Sequence, residues 1–217
     1  MAMMLAGGGR PFRWIGLLVF ALLLGATPAV AARFFVLNVP GELDPATKVR
    51  IETPRPVQLL FTFQTNGAPN MRATNFVKEQ VGNDVRGSGL FSEVAQAPVA
   101  DGAVLSITIN NIPERGAAGR GFRTGLTFGL AGTTVTDDYE ITFEYLSGPT
   151  ATPIRRVVRH AIRTTIGRTD PPTDVTRARN PEEALRTVVR QSLAHGLNQL
   201  GGDPAFVPAL TGTAPQP

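Results

Sequence analysis

The sequence of 217 residues contains no cysteine, which excludes disulfide bonds, thiolate zinc sites, iron–sulfur clusters and cysteine nucleophiles. It has only two histidines, His160 and His195, which are far apart in the chain, so a histidine-built metal site is not expected. No nucleophile elbow, zincin helix or acid–base pair of carboxylates is recognisable. We therefore expect no catalytic residue, no metal and no cofactor.

Lysine is also scarce, since 19 of the 21 basic residues are arginine. The formal net charge is +4, but the first 32 residues carry Arg10 and Arg13 and no acidic residue. The rest of the chain has 19 basic and 17 acidic residues, which leaves a charge of only +2. A nearly balanced chain is not typical of a polyanion-binding protein, so nucleic acid is not an expected partner.

Residues 1–32 have the three parts of a secretory signal peptide. Two arginines precede the apolar run Trp14–Leu24, which is too short to span a bilayer comfortably, and Ala29–Ala31 offers small residues before a cleavage site. We expect a cleaved signal and export to the periplasm of a Gram-negative bacterium. The alternative is an uncleaved anchor in the inner membrane, whereas a lipoprotein anchor is excluded because cysteine is absent.

Hydrophobic periodicity predicts a single α+β domain at 33–202, followed by a disordered tail at 203–217. Loops are predicted at 40–56 and 170–179. The predicted strands are 33–39, 57–63, 90–94, 104–109 and 139–145; the predicted helices are 72–85 and one that begins at Pro181, after the capping residue Asn180, and ends before Gly201. Two helices on one face of a mixed or antiparallel sheet, a two-layer sandwich, would bury the apolar face of each element.

The segment Ile154–Ile166 is ambiguous, because its apolar residues also fit a helical stripe. Six of the seven residues in that stripe are β-branched, which favours a strand. A hairpin that places Tyr145 opposite Ile154 would bring two acidic residues opposite two basic ones, namely Glu144 to Arg155 and Glu140 to Arg159. We predict a strand in this register, with His160 facing the core opposite Tyr139.

The segment 115–132 is rich in glycine, with Gly121, Gly125 and Gly129 spaced by four. In a helix this spacing would form a smooth stripe suited to close contact with a membrane or a second copy, through Phe122, Leu126, Phe128 and Leu130. The alternative is a loop between strands, because glycine disfavours any fixed structure. A phosphate cradle is rejected, since the spacing misses the dinucleotide motif and no Walker lysine is present.

A second candidate site is the basic stretch that contains Arg155, Arg156, Arg159 and Arg163. These arginines could bind an anionic ligand, such as a phosphate or a lipid head group. The alternative is a solvated strand face on which glutamates lie opposite the arginines. Asp137 and Asp138 precede a predicted strand and are interpreted as a turn.

The passage Val81–Val94 carries Arg86, Ser88, Gly89, Leu90 and Phe91 where a helix turns into a strand. It resembles an element of the N-terminal domain of TolB and of related small envelope lipoproteins. A later segment, Thr136–Tyr139, is similar to uncharacterised members of that class. The resemblance implies an α/β sandwich that serves as a binding module in envelope assembly or transport, with no catalytic residues. The sequence departs from the family in lacking a lipobox cysteine and a following propeller domain.

These observations predict a non-enzymatic accessory or adaptor protein of the envelope. It would present a sheet edge, or the segment 115–132, to a protein partner or a membrane surface. The alternative is a carrier of a lipid or small amphiphile, held in a cavity between sheet and helices with arginines at its head group. A hydrolase is a third hypothesis, which would require the histidines to lie near acidic residues.

Overall fold

The computed structural model describes residues 32–114 and 132–206, which form one sheet and two helices. Helix α1 spans Met71–Gly87 and helix α2 spans Pro181–Gly201, while a 3-10 turn lies at Pro45–Thr47. The strands are β1 Arg33–Leu37, β2 Arg55–Thr65, β3 Ala68–Pro69, β4 Phe91–Ala95, β5 Val104–Pro113, β6 Thr133–Leu146, β7 Ile154–Ile166 and β8 Val175–Ala178.

The sheet is open and mixed, with the strand order β3–β2–β5–β6–β7–β1–β8 and with β4 paired to the first part of β2. β2 runs parallel to β4 and β5, and the other pairs are antiparallel. α1 packs against β2 and β4, and α2 packs against β7, β1 and β6. The predicted α+β class, with both helices on one face of a mixed sheet, is confirmed. We call the opposite face the outer face.

Helix α1 follows from its apolar spacing and from the capping residue that precedes it. Asn70 accepts a hydrogen bond from the backbone N–H of Ala73 at 3.0 Å, which satisfies one of the free donors at the helix start. Val77, Val81 and Val85 recur every four residues and are completely buried. The helix therefore buries one stripe against the sheet.

The turn after α1 has the geometry that its sequence suggests. Gly89 has φ +77°, in the left-handed region that favours glycine. Leu90 and Phe91, which follow it, are both buried in the core. The glycine thus reverses the chain, and the apolar pair holds the start of β4 against the helix.

Helix α2 begins as predicted. The side chain of Asn180 accepts a hydrogen bond from the backbone N–H of Glu183 at 2.8 Å, and Glu183 in turn accepts one from the N–H of Arg179 at 2.7 Å. The N-cap side chain thus satisfies one free donor of the first turn, and Glu183 also holds the residue before the cap. Pro181 occupies the first turn, where its missing N–H costs nothing.

Helix α2 approaches the sheet closely at Gly196. A Cβ atom at this position would lie 2.1 Å from the ring of Phe143 on β6. Phe143 is completely buried, as are its sheet neighbours Ile109 and Ile141. Because Gly196 has no side chain, the ring of Phe143 can fill the space between the sheet and the helix.

The β6–β7 hairpin has the predicted register, with Tyr145 opposite Ile154 and Tyr139 opposite His160. His160 is buried and faces the helices, as predicted. Ile154–Ile166 is a strand throughout. The cross-strand charge pairs thus identified a register that apolar spacing alone left open.

Two predictions, one for residues 175–178 and one for Asp137 and Asp138, were wrong. Residues 175–178 lie in a predicted loop but form strand β8, which pairs with β1. Asp137 and Asp138 lie inside β6, opposite Ile162 and Ala161, rather than in a turn. Since neighbouring residues of a strand point to opposite faces, these two carboxylates do not face each other.

The beginning of the predicted disordered tail is ordered and packs on the core. Phe206 is 4% exposed, and its ring stacks on Tyr145 at 4.7 Å between centroids and lies 5.7 Å from the ring of Phe91. Asp203 pairs with Arg156 of β7. The apolar content of this segment is small, but one aromatic ring and one ion pair suffice to hold it.

Three predicted features fall mainly outside the described residues. These are the signal peptide at 1–32, of which only residue 32 is described, the glycine-rich segment 115–132, of which only Gly132 is described, and residues 207–217 of the tail. The candidate contact residues Phe122, Leu126, Phe128 and Leu130 belong to the second of these.

Candidate functional site

The predicted basic stretch lies on the outer face, where two of its arginines are already paired. Arg155 lies 3.4 Å from Glu144, and Arg159 donates from Nε and Nη2 to one carboxylate oxygen of Glu140, at 3.1 and 2.9 Å. Arg156 points to the opposite face, because side chains alternate along a strand. The four arginines therefore do not form one anion site.

Arg163 has a different environment, because it lies in the part of β7 that pairs with β1. It lies opposite Phe35 of β1, and Phe35 lies opposite Arg177 of β8. Directly opposed residues share a face, so the three side chains form a row across the outer face. Within the part of the chain that the structure describes, Arg163 and Arg177 form no salt bridge.

Among the residues that the structure describes, strand β8 lies at the edge of the sheet and some of its backbone groups face no neighbouring strand. The N–H of Asn38 donates to the carbonyl of Asp174 at 2.9 Å, which marks these two residues as a hydrogen-bonded pair. Such pairs alternate along an antiparallel ladder, so Thr176 and Ala178 also face β1. The N–H and C=O groups of Val175 and Arg177 consequently point away from β1, toward the open edge.

A groove of about 310 Å³ runs along the helix side of this edge, between β8 and α2. Its walls carry the carboxylates of Glu42 and Glu183 and the guanidinium of Arg190. Side chains of a strand added to β8 would alternate between this groove and the outer face. The edge therefore offers backbone pairing together with two chemically different surfaces.

A chain of hydrogen bonds fixes the residues behind this groove. His160 Nε2 lies 2.7 Å from Gln191 Oε1, and Gln191 Nε2 donates to Glu42 at 2.8 Å. Glu42 also pairs with Arg190, which lowers the pKa of the Glu42 carboxyl to about 2. The chain connects the segment after β1 to α2 and to the buried side of β7.

The hydrogen bonds of His160 define its protonation. Its Nδ1 accepts from the backbone N–H of Ala161 at 2.9 Å, so Nε2 carries the proton and donates to Gln191. Burial lowers the pKa of His160 below its ordinary value, and the hydrogen bond to Gln191 acts in the opposite direction. His160 is therefore a neutral structural residue near pH 7.

The hydrolase hypothesis finds little support in this region. In the described ranges neither histidine hydrogen-bonds to a carboxylate, and the Nε2 atom of His195 is buried with no hydrogen-bond partner. Ser192 is completely buried and its hydroxyl has no partner, whereas a nucleophile must reach its substrate. Within those ranges no three metal-ligating side chains come together, and neither helix is long and apolar enough to cross a membrane.

The comparisons with known proteins give only distant structural similarity. No protein-family model matches the chain, and no curated protein matches it in sequence. A PelC dodecamer from Paraburkholderia phytofirmans matches with 15% identity and a TM-score of 0.33, over 77% of this chain and 96% of that one. A putative neuraminyllactose-binding hemagglutinin homolog from Helicobacter pylori matches with 13% identity and a TM-score of 0.38, over 71% and 84%. A function for this chain must therefore be inferred from its own residues.

The edge of β8 was not predicted from the sequence. Val175–Ala178 is short and follows a proline-rich stretch, and its partner β1 lies about 140 positions earlier in the chain. The only pattern in the sequence that indicates a strand here is the alternation of Val175 and Arg177 with the small residues Thr176 and Ala178. Such a pattern is too short to distinguish an edge strand from a loop.

Proposed function

We propose that the protein is a non-enzymatic accessory or adaptor protein of the bacterial envelope, which binds an extended segment of a partner protein at the free edge of β8. The observation that carries this proposal is the outward direction of the backbone N–H and C=O groups of Val175 and Arg177. An extended segment pairing with them would add one strand to the sheet. Main-chain hydrogen bonds would supply affinity, and the flanking surfaces would supply specificity.

The charges at the edge favour an acidic partner segment. A residue directly opposite Arg177 in an added antiparallel strand would lie on the outer face, near the row formed by Arg163, Phe35 and Arg177. A glutamate or aspartate there would meet an arginine that has no ion pair among the described residues. A second copy of the chain would instead bring two β8 arginines together, which disfavours self-pairing.

The packing between sheet and helices favours an adaptor over a carrier. The carrier hypothesis places its ligand in this interface, where Gly196 and Phe143 are in close contact. It also places arginines at the ligand head group, but Arg155 and Arg159 lie on the outer face and pair with glutamates. The resemblance to envelope binding modules remains an expectation that agrees with the proposal.

Replacing Arg177 by proline is expected to weaken partner binding without unfolding the chain. Proline removes the outward N–H and is tolerated on an edge strand, because that N–H makes no bond to β1. Arg177→Glu should weaken binding through charge, and Arg177→Ala should weaken it less. We expect recovery of the partner from envelope extracts to fall roughly tenfold for Arg177→Pro, corresponding to about 1.4 kcal/mol or one to two hydrogen bonds.

The control is Arg72→Glu, which makes the same charge change at an exposed position on α1 and should leave recovery unchanged. The recovered partner, added to the full chain, should also slow hydrogen exchange at the amides of Val175 and Arg177. Equal recovery by the wild type and Arg177→Pro would refute the proposal. Binding to anionic vesicles that Arg177→Glu abolishes, and that Arg177→Pro weakens no more than Arg177→Ala does, would identify a membrane surface instead.

A further inference from the structure

A cleft on the helix side of the molecule shares Glu42 and Arg190 with the groove beside β8. It has a volume of about 440 Å³ and lies between the segment 42–49, the end of α1 and the middle of α2. This volume falls in the range of small-molecule sites, which are mostly apolar with a few polar groups that orient the ligand. The apolar part of its lining consists of Leu43, Pro45, Val49, Leu90, Ala194 and Leu197.

The basic groups at the cleft are already engaged. Arg190 pairs with Glu42 through both terminal nitrogens. Lys48 is exposed and donates from Nζ to the carbonyl of Gly87 at 3.0 Å, at the end of α1. An ammonium in this position also interacts favourably with the negative end of the helix. An anionic ligand would therefore have to compete with existing partners for either cation.

The neutral polar groups are engaged as well. Asn198 accepts from the backbone N–H of Val49 at 2.7 Å and donates to the carbonyl of Thr47 at 3.1 Å, which fastens the segment to α2. Ser88 donates to the carbonyl of Val85 at 2.7 Å. These hydrogen bonds give the cleft preformed walls, which reduces the entropy cost of binding.

Asp84, by contrast, is engaged only weakly by its neighbours. Its carboxylate is half-buried, and the hydrogen bond from Gln80 Nε2 is long, at 3.5 Å, while the same nitrogen donates to the carbonyl of Arg186 at 2.8 Å. Burial raises the pKa of Asp84, although Arg190 is near enough to oppose this. No salt bridge to Asp84 forms within the described ranges. A partly desolvated carboxylate, which has no salt bridge among the described residues although Arg190 is nearby, thus lies at an apolar cleft.

We propose that the cleft binds a small amphiphilic amine, with its ammonium group at Asp84 and its alkyl chain against Leu43, Val49 and Leu197. A protonated amine would form the direct ion pair that the Asp84 carboxylate lacks among the described residues, and a charge-assisted hydrogen bond is among the stronger contacts that a ligand can make. The alkyl chain gains by leaving water for the apolar wall. Asp84 and these apolar residues do not line the groove beside β8, so either proposal can fail without the other.

The test compares octylamine, 1-octanol and octanoate, which share one alkyl chain and differ in the head group. Calorimetry with the full chain should give the tightest binding for octylamine. Asp84→Asn should weaken octylamine binding roughly 10- to 100-fold, the effect of losing a hydrogen bond to a charged group, and should leave octanol binding unchanged. Glu79→Gln, at an exposed position of α1, is the matched control and should change neither.

A second variant tests the location of the alkyl chain. Ala194→Phe places a ring in the cleft from α2, so it should weaken both octylamine and octanol. Octylamine binding no tighter than octanol binding, or an unchanged octylamine affinity in Asp84→Asn, would overturn the proposal. Preferential binding of octanoate would also overturn the proposal, because its carboxylate would lie at Lys48 or Arg190 and not at Asp84.

Discussion

Gly196→Ala is expected to destabilise the protein by about 2 kcal/mol. The new Cβ atom would lie 2.1 Å from the buried ring of Phe143, so the helix or the ring must move. Overpacking of this kind costs about 3 kcal/mol, and the higher helix propensity of alanine recovers about 1 kcal/mol. For a domain of this size the change should lower Tm by about 4–8 °C in thermal unfolding followed by circular dichroism.

Gly87→Ala is the matched control, because no atom lies within 4 Å of a Cβ built at this last residue of α1. It should leave Tm unchanged or raise it slightly, through the lower entropy of the unfolded chain. The smaller side chain in Phe143→Leu should remove part of the cost of Gly196→Ala in the double variant. Additive effects of the two substitutions, or a Gly196→Ala variant as stable as the wild type, would show that this contact does not limit the packing of α2.

The free energy of unfolding is expected to fall as the pH drops below about 6.5, because of His160. Burial lowers the pKa of this imidazole below its ordinary value of 6.5, so the unfolded chain binds a proton where the folded chain does not. The stability is therefore complete above pH 6.5 and is lost progressively as the pH falls toward the lowered pKa. Each unit between the two pKa values corresponds to about 1.4 kcal/mol.

Urea unfolding at pH 7.5, 6.5 and 5.5 measures this slope. His160→Gln keeps a donor toward Gln191 but cannot titrate, so it should be less stable than the wild type at pH 7.5 and should lose less stability on acidification. The pair of Glu42 and Arg190 loses its contribution only below pH 4.5, since the pKa of Glu42 is lowered to about 2. A His160→Gln variant with the wild-type slope would rule out this histidine as the cause.

Local chemistry was sufficient to predict the parts of the fold whose partners are close in sequence. The β6–β7 hairpin could be placed because Glu144 and Glu140 meet Arg155 and Arg159 across a short connection. Both helices could be recognised from their apolar spacing and from the capping residue Asn180. In each case propensity, pattern and pairing favour the same structure.

The candidate sites could not be predicted, because they depend on contacts between distant segments. The row of Arg163, Phe35 and Arg177 exists only through the register of three strands from both ends of the domain. The cleft at Asp84 exists only because Asn198 holds the segment after β1 against α2. No periodicity in a single sequence encodes these pairings.

The position of β1 also constrains the order in which the chain can fold. β1 is the first described strand, yet it is inserted between β7 and β8, the last two. During synthesis from the N-terminus it must wait, without any neighbour in the sheet, until residues 154–178 have been made. Such high contact order slows folding and leaves an early segment exposed to aggregation or to holding chaperones. The edge proposed to receive a partner can thus arise only on a finished chain, so a nascent or truncated polypeptide would be unable to engage that partner prematurely.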